Sequence, residues 1–170
     1  MRLRPILERD IMPLYLASFD PSNSSRWRYR GRTLPLDEFV RTLYAGVISQ
    51  YMVEMTATGD TVGTVSAYDE NHSGLNCKIA YLRCGDRSHG DSAAVFEGML
   101  LFISFLFDNF PFRKLFAEVP DYNMELFADD FAEHEGSLKE YLFHEGKFID
   151  LHHVSISREK WKQLADKTGW

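Results

Sequence analysis

Arg87-Ser88-His89-Gly90-Asp91-Ser92-Ala93-Ala94 is the stretch of this 170-residue chain whose residue types and order best suit a chemical task. Small and polar residues give way there to an apolar run, so the segment should lead out of a strand and into a helix. The first amides of a helix have no partner within it, and the helix dipole adds partial positive charge at that end. A diphosphate suits such a seat. Gly90 lets the backbone approach a phosphate closely, Ser92 can cap the helix and donate to an oxygen, and Arg87 can add a charge-assisted contact. The same composition also fits an ordinary strand-to-helix turn with a serine cap.

A second segment of interest is Arg26-Trp27-Arg28-Tyr29-Arg30, where cation and aromatic alternate inside a polar loop running from Asp20 to Arg32. That pattern can stack on RNA bases, hold an acidic substrate or carrier protein, or lie as a solvated loop with Trp27 packed down. A net charge of −6 argues against nucleic acid as the partner. Cys77 and Cys84 form no CxxC pair and have no further thiols beside them, which fits neither a disulfide framework nor a zinc site. Met1-Arg2-Leu3-Arg4-Pro5 shows no secretory h-region, and the longest apolar run, Ala93 to Phe107, is too short to span a bilayer. The expectation is one soluble, cytoplasmic domain over residues 1–170, with no membrane or nucleic-acid partner, acting as a monomer or homodimer.

The elements that must position these residues follow from periodicity. Glu8 to Phe19 reads as a short helix with Leu14, Leu16 and Phe19 inward, and Pro35-Leu36-Asp37 opens a second helix carrying Phe39, Val40 and Leu43. From Gln50 the rhythm becomes that of strands, with a hairpin turn at Thr58-Gly59-Asp60 and a return from Val62 to Tyr68. Asp69 to Gly74 is a loop and Leu75 to Leu82 a third strand, before a long apolar helix from about Ser92 to Asp108. Lys114 to Val119 is a buried strand, Asp121 to Glu133 is helical, and strands Ser137 to Phe143 and Lys147 to Ser157 turn at Gly146. A polar helix, Arg158 to Lys167, follows. With a short opening strand, the order gives an α/β (α+β) fold on a mixed sheet.

This order resembles the GNAT superfamily of N-acyltransferases, whose coenzyme-binding pattern is Arg/Gln-x-x-Gly-x-Gly/Ala at the start of the third helix. Arg87, Gly90 and Ser92 match it, with Ser in the last small position. Leu3-Arg4-Pro5 is similar to the family's opening strand, and Leu115-Phe116-Ala117-Glu118-Val119 followed by Asn123 is similar to its fifth strand and fourth helix. Glu135-Gly136-Ser137-Leu138 and the run from Asp150 to Trp161 resemble the ribosomal-protein-alanine acetyltransferase branch. Two departures stand out. Lys78 occupies a fourth-strand position where that branch often has a carboxylate, and the fourth helix lacks the usual tyrosine and its following Gly-Phe.

The resemblance implies a mostly antiparallel sheet of about seven strands, with a splayed strand pair forming the coenzyme cleft. It implies attack of an amine on the thioester of acetyl-CoA or another acyl-CoA, with no covalent enzyme intermediate and no metal. Backbone amides near Tyr81 and Leu82 would meet the oxyanion, and Arg87, Ser88, His89, Gly90, Asp91, Ser92 and Ala93 would hold the pyrophosphate. Asn123 would bind the coenzyme's amides or cap its helix. Glu118 is the first choice of general base and Tyr122 of thiolate acid. Glu54 and Asp69, with Arg28 and Arg30, would border the acceptor, while His152 and His153 alternate on the last strand. An acyl carrier protein as donor, or a fold retained for binding without catalysis, remain as alternatives.

Overall fold

The computed structural model describes residues 1–20, 32–84, 92–127 and 131–168. Seven strands form one sheet: β1 (Arg2–Arg4), β2 (Val47–Glu54), β3 (Thr61–Asn71), β4 (Asn76–Arg83), β5 (Lys114–Pro120), β6 (Glu133–His144) and β7 (Lys147–Ser157). Their spatial order is β1-β2-β3-β4-β5-β7-β6. Pairing is antiparallel for β1 with β2, β2 with β3, β5 with β7 and β6 with β7, and parallel for β4 with β5. Four α-helices accompany it among the described residues: α1 (Glu8–Ala17), α2 (Leu36–Leu43), α3 (Ser92–Asn109) and α4 (Arg158–Thr168). This is the mixed sheet expected from the order of elements, with the mostly antiparallel pairing that the resemblance implies.

Contacts gather in two compact units, residues 1–69 with 80–103, and residues 70–79 with 104–170. In the first, strand alternation sends Met52 and Val53 to opposite faces of β2. Met52 joins Leu14 of α1, Phe39 and Leu43 of α2, Leu82 and Cys84 in a core cluster. Val53 meets α3, where a Cβ on Gly98 would lie 2.5 Å from Val53 Cγ1, so only glycine lets the helix sit this close. Large side chains buried this fully contribute about 1.5–3 kcal/mol each.

In the second unit the Arg158 side chain clamps the start of α4. Its Nε donates to the carbonyl of Phe112 at 2.8 Å, and its other nitrogens donate to the carbonyls of Phe107 and Phe110. Glu145 and Gly146 both have positive φ in the β6–β7 turn, the conformation a tight hairpin requires.

Three expectations are corrected. Leu16 and Phe19 are 61% and 39% exposed, so Leu14 alone of the three expected residues carries the buried face of α1. Val40 is likewise exposed while Phe39 and Leu43 are buried. Of the helix expected from Asp121 to Glu133, the described residues form a short 3₁₀ helix, Asp121–Leu126, closed by Phe127 at φ −114° and ψ 71°. Phe127 and Phe131 pack instead onto Val119, Ala132 and Val154, and β6 is already under way at Glu133.

Candidate functional site

Ser92 and Ala93 open α3, an 18-residue helix with no acidic residue in its first turn. Ala93 is exposed. The first amides of such a helix need partners from outside it. Arg87, Ser88, His89, Gly90 and Asp91 lie outside the described residues, as do Arg28 and Arg30.

β4 leads toward this helix start. Its parallel pairing with β5 covers Asn76↔Lys114, Cys77↔Leu115 and Lys78↔Phe116, whereas β5 stays paired with β7 as far as Pro120↔Leu151. Tyr81 and Leu82 therefore follow the last β4–β5 pair. The Leu82 side chain is core, and the Cys84 amide bonds the Val62 carbonyl at 3.0 Å. Tyr81 lies across β3: a Cβ on Gly63 would stand 2.4 Å from both the Tyr81 hydroxyl and the Leu82 carbonyl oxygen. The Tyr81 hydroxyl is buried with no hydrogen-bond partner among the described residues, and burial pushes its pKa up. Its phenol is thus a packing group, and what β4 can offer a ligand at this point is backbone.

Glu118 sits on β5 opposite His153 of β7. Its carboxylate is 3.0 Å from Lys78 Nζ, both side chains being about one-third exposed at 28% and 33%. The lysine that departs from the family pattern is therefore the partner of the expected base. Tyr122 and Asn123 share the 3₁₀ turn after β5; Tyr122 is exposed, with its ring 4.7 Å from that of His144.

Two candidates have other commitments. Glu54 is 2% exposed, and its carboxylate oxygens accept from Arg2 Nε at 2.7 Å and from Arg4. Hydrogen bonds from Arg2 and then Arg4 hold it below the usual carboxylate range. Arg4 also reaches both oxygens of Asp10, at 2.6 and 2.9 Å, and Asp10 accepts from the Leu7 amide at the start of α1. Glu54 thus ties β1 to β2 instead of standing open beside an acceptor. Asp69 lies exposed near the end of β3, with φ 56°.

One constellation was missed by the sequence reasoning. His152 Nε2 lies 2.8 Å from Asp121 Oδ1, and its Nδ1 lies 2.9 Å from Ser137 Oγ and 3.1 Å from His134 Nε2. His152 and His153 do face opposite sides of β7, as alternation requires, but strand register brings Ser137 and His134 to His152, and a single sequence does not give register. Among the described residues no group of three or more His, Cys, Asp and Glu is arranged to hold a metal, and no helix is long and apolar enough to cross a membrane.

No protein-family model matches the chain, and no curated protein sequence does. Solved structures do. The spermidine N-acetyltransferase from Vibrio cholerae in complex with CoA and spermine superposes with a TM-score of 0.80 at 15% identity, over 95% of this chain and 97% of that one. A variant of that enzyme gives 0.78 at 15% identity over 97% and 99%, and further mutant forms give 0.71 at 18% over 96% and 98%. The fold is that of these GNAT-type acetyltransferases. At such identities the likeness is one of fold, and it extends over nearly the whole of each chain.

Proposed function

We propose that this protein is an N-acyltransferase that moves an acetyl or other acyl group from a coenzyme A thioester to an amine by direct attack. The observation that carries the reading is the parallel β4–β5 pair whose register ends at Lys78↔Phe116, just before Tyr81, Leu82 and the start of α3. The segment from Arg87 to Ala93 seats the pyrophosphate on helix-terminal amides. Backbone amides at Tyr81 and Leu82 meet the oxyanion that develops on the thioester carbonyl. Asn123 holds the coenzyme's amide groups.

Glu118 takes the proton from the attacking nitrogen. Lys78 Nζ, 3.0 Å away, is its ion-pair partner. It also disfavours a second cation nearby, which shifts an arriving ammonium toward the free amine. The leaving thiolate is protonated by Tyr122. Arg28 and Arg30 border the acceptor.

The acceptor class is a primary alkylamine or peptide N-terminus. Spermidine is the first small amine to test, because it is the substrate named for the structurally similar enzymes. The ribosomal-protein-alanine branch rests on the C-terminal motifs from Glu135 to Trp161 and makes a peptide N-terminus the second. Release of free thiol from acetyl-CoA and longer acyl-CoAs, measured against an amine panel, tests the reading. Amine-dependent thiol release is expected with at least one pair. Release only from a carrier-protein thioester would transfer the reading to a carrier-bound donor, and no release from either donor would leave a binding protein.

A further inference from the structure

Outside the proposed coenzyme site, the most organised group of functional side chains lies on the β6–β7 ribbon. Ser137 and His152 are direct cross-strand partners, while His134 pairs with Val154, and a register shift between His134 and Gly136 separates the two pairs. Such bulges re-aim side chains, and here one brings the imidazole of His134 to a centroid distance of 5.3 Å from that of His152. His134 Nε2, His152 Nδ1 and Ser137 Oγ then form a triangle with edges of 3.1, 3.1 and 2.9 Å.

The protonation pattern follows from Asp121. An ionised carboxylate only accepts, so His152 Nε2, 2.8 Å from Asp121 Oδ1, carries a hydrogen. In the neutral ring Nδ1 then presents a lone pair to the middle of the triangle. A carboxylate on the far nitrogen of a histidine is the arrangement that orients metal-binding imidazoles and raises their basicity. Tetrahedral ligands about 2.0–2.1 Å from a zinc ion stand about 3.3 Å apart, close to the spacing found here. His134 is exposed, which leaves the outer side of the triangle open to water.

We infer that His134 and His152, with the Ser137 hydroxyl beside them, form a surface site for a borderline divalent transition-metal cation, zinc or copper, with Asp121 as the positioning residue behind His152. Two imidazoles and one neutral hydroxyl suit these ions better than calcium or magnesium, which favour several carboxylate and carbonyl oxygens. Water completes the coordination. The ion binds with release of any protons held on the two inward nitrogens and with no change of oxidation state. The site is independent of acyl transfer and does not require that reading to hold.

Tag-free protein stripped with a chelator should be titrated with Zn2+ by calorimetry and with Cu2+ under electron paramagnetic resonance. One equivalent is expected, with two nitrogen donors in the copper spectrum. His134→Gln, at an exposed position, and His152→Ala should each weaken Zn2+ binding at least about tenfold, and Asp121→Asn about tenfold. His72→Ala, a control at an exposed histidine elsewhere, should bind as the unaltered protein does. Failure of the unaltered protein to bind either ion would overturn the site. So would equal Zn2+ affinity in His134→Gln and the unaltered protein, which does not depend on His152→Ala folding.

Discussion

Two sets of carboxylates in this molecule are both paired with cations, yet they are built for different ends. In the first unit Glu54 and Asp10 are nearly sealed, with side-chain exposures of 3% and 6%, and share Arg4, itself 12% exposed. Bonds run from β1 to β2 and from β1 to the start of α1, so the network fixes elements. In the second unit Glu118 meets Lys78, and Glu133 and Glu135 meet Lys114, through ammonium groups on half-open side chains. A compact ammonium on a flexible stem releases its partner more readily than a guanidinium fork does. Carboxylates held this way can exchange a lysine for an incoming amine; those held by Arg4 cannot without separating strands.

The largest effect should come from breaking the second set at its proposed catalytic member. Glu118→Gln removes the proton acceptor while keeping shape, so kcat should fall about 100-fold or more while acetyl-CoA binding and Tm change little. An equal loss of donor binding and turnover would place Glu118 in binding and not in proton transfer. Glu54→Gln should do the reverse, lowering Tm while sparing kcat for whatever fraction is folded. Its pH dependence sharpens the contrast. Glu54 and Asp10 are both held below the usual carboxylate range, chiefly by hydrogen bonds from Arg2 and Arg4 respectively. Groups depressed in the folded state stabilise above their unfolded pKa of about 4 and lose that contribution as pH falls through the folded value. The Tm of the unaltered protein should therefore drop more steeply below about pH 4 than that of Glu54→Gln. Parallel curves would show that the network does not couple to folding.

The smallest effect concerns packing in the first unit. Gly63→Ala would drive a methyl group toward the Leu82 carbonyl oxygen and the Tyr81 ring, a clash of the kind that costs about 1–3 kcal/mol. Denaturant midpoints would measure it. A neutral result would mean that Tyr81 swings away easily and that β4 is looser here than its packing indicates.

Most of the architecture was legible from periodicity and punctuation. Gly59 and Gly146 marked turns that do adopt positive φ, and the apolar run from Ala93 formed a helix of the expected length. What failed did so for tertiary reasons. Leu16 and Phe19 look inward on a helical wheel, but they are exposed while Leu14 meets the core. The segment after Pro120 has helix-compatible residues, yet Phe127 and Phe131 gain more from packing on Val119 and Val154. Glu54 read as an acceptor ligand because nothing local shows that β1 pairs with β2 in the register that sets Arg2 opposite it. The same blindness to register hid the pairing of Lys78 with Glu118 and of Ser137 with His152, since both join residues distant in sequence.

The proposed seat of the coenzyme between Arg87 and Ala93 is tested most directly by following Tm as acetyl-CoA is added to the unaltered protein and to Gly90→Val. A ligand that binds only the folded state raises Tm as its concentration passes Kd. The account predicts a rising Tm for the unaltered chain and a flat one for Gly90→Val, with equal starting values. A flat response in the unaltered chain, or an equal rise in the variant, would contradict it.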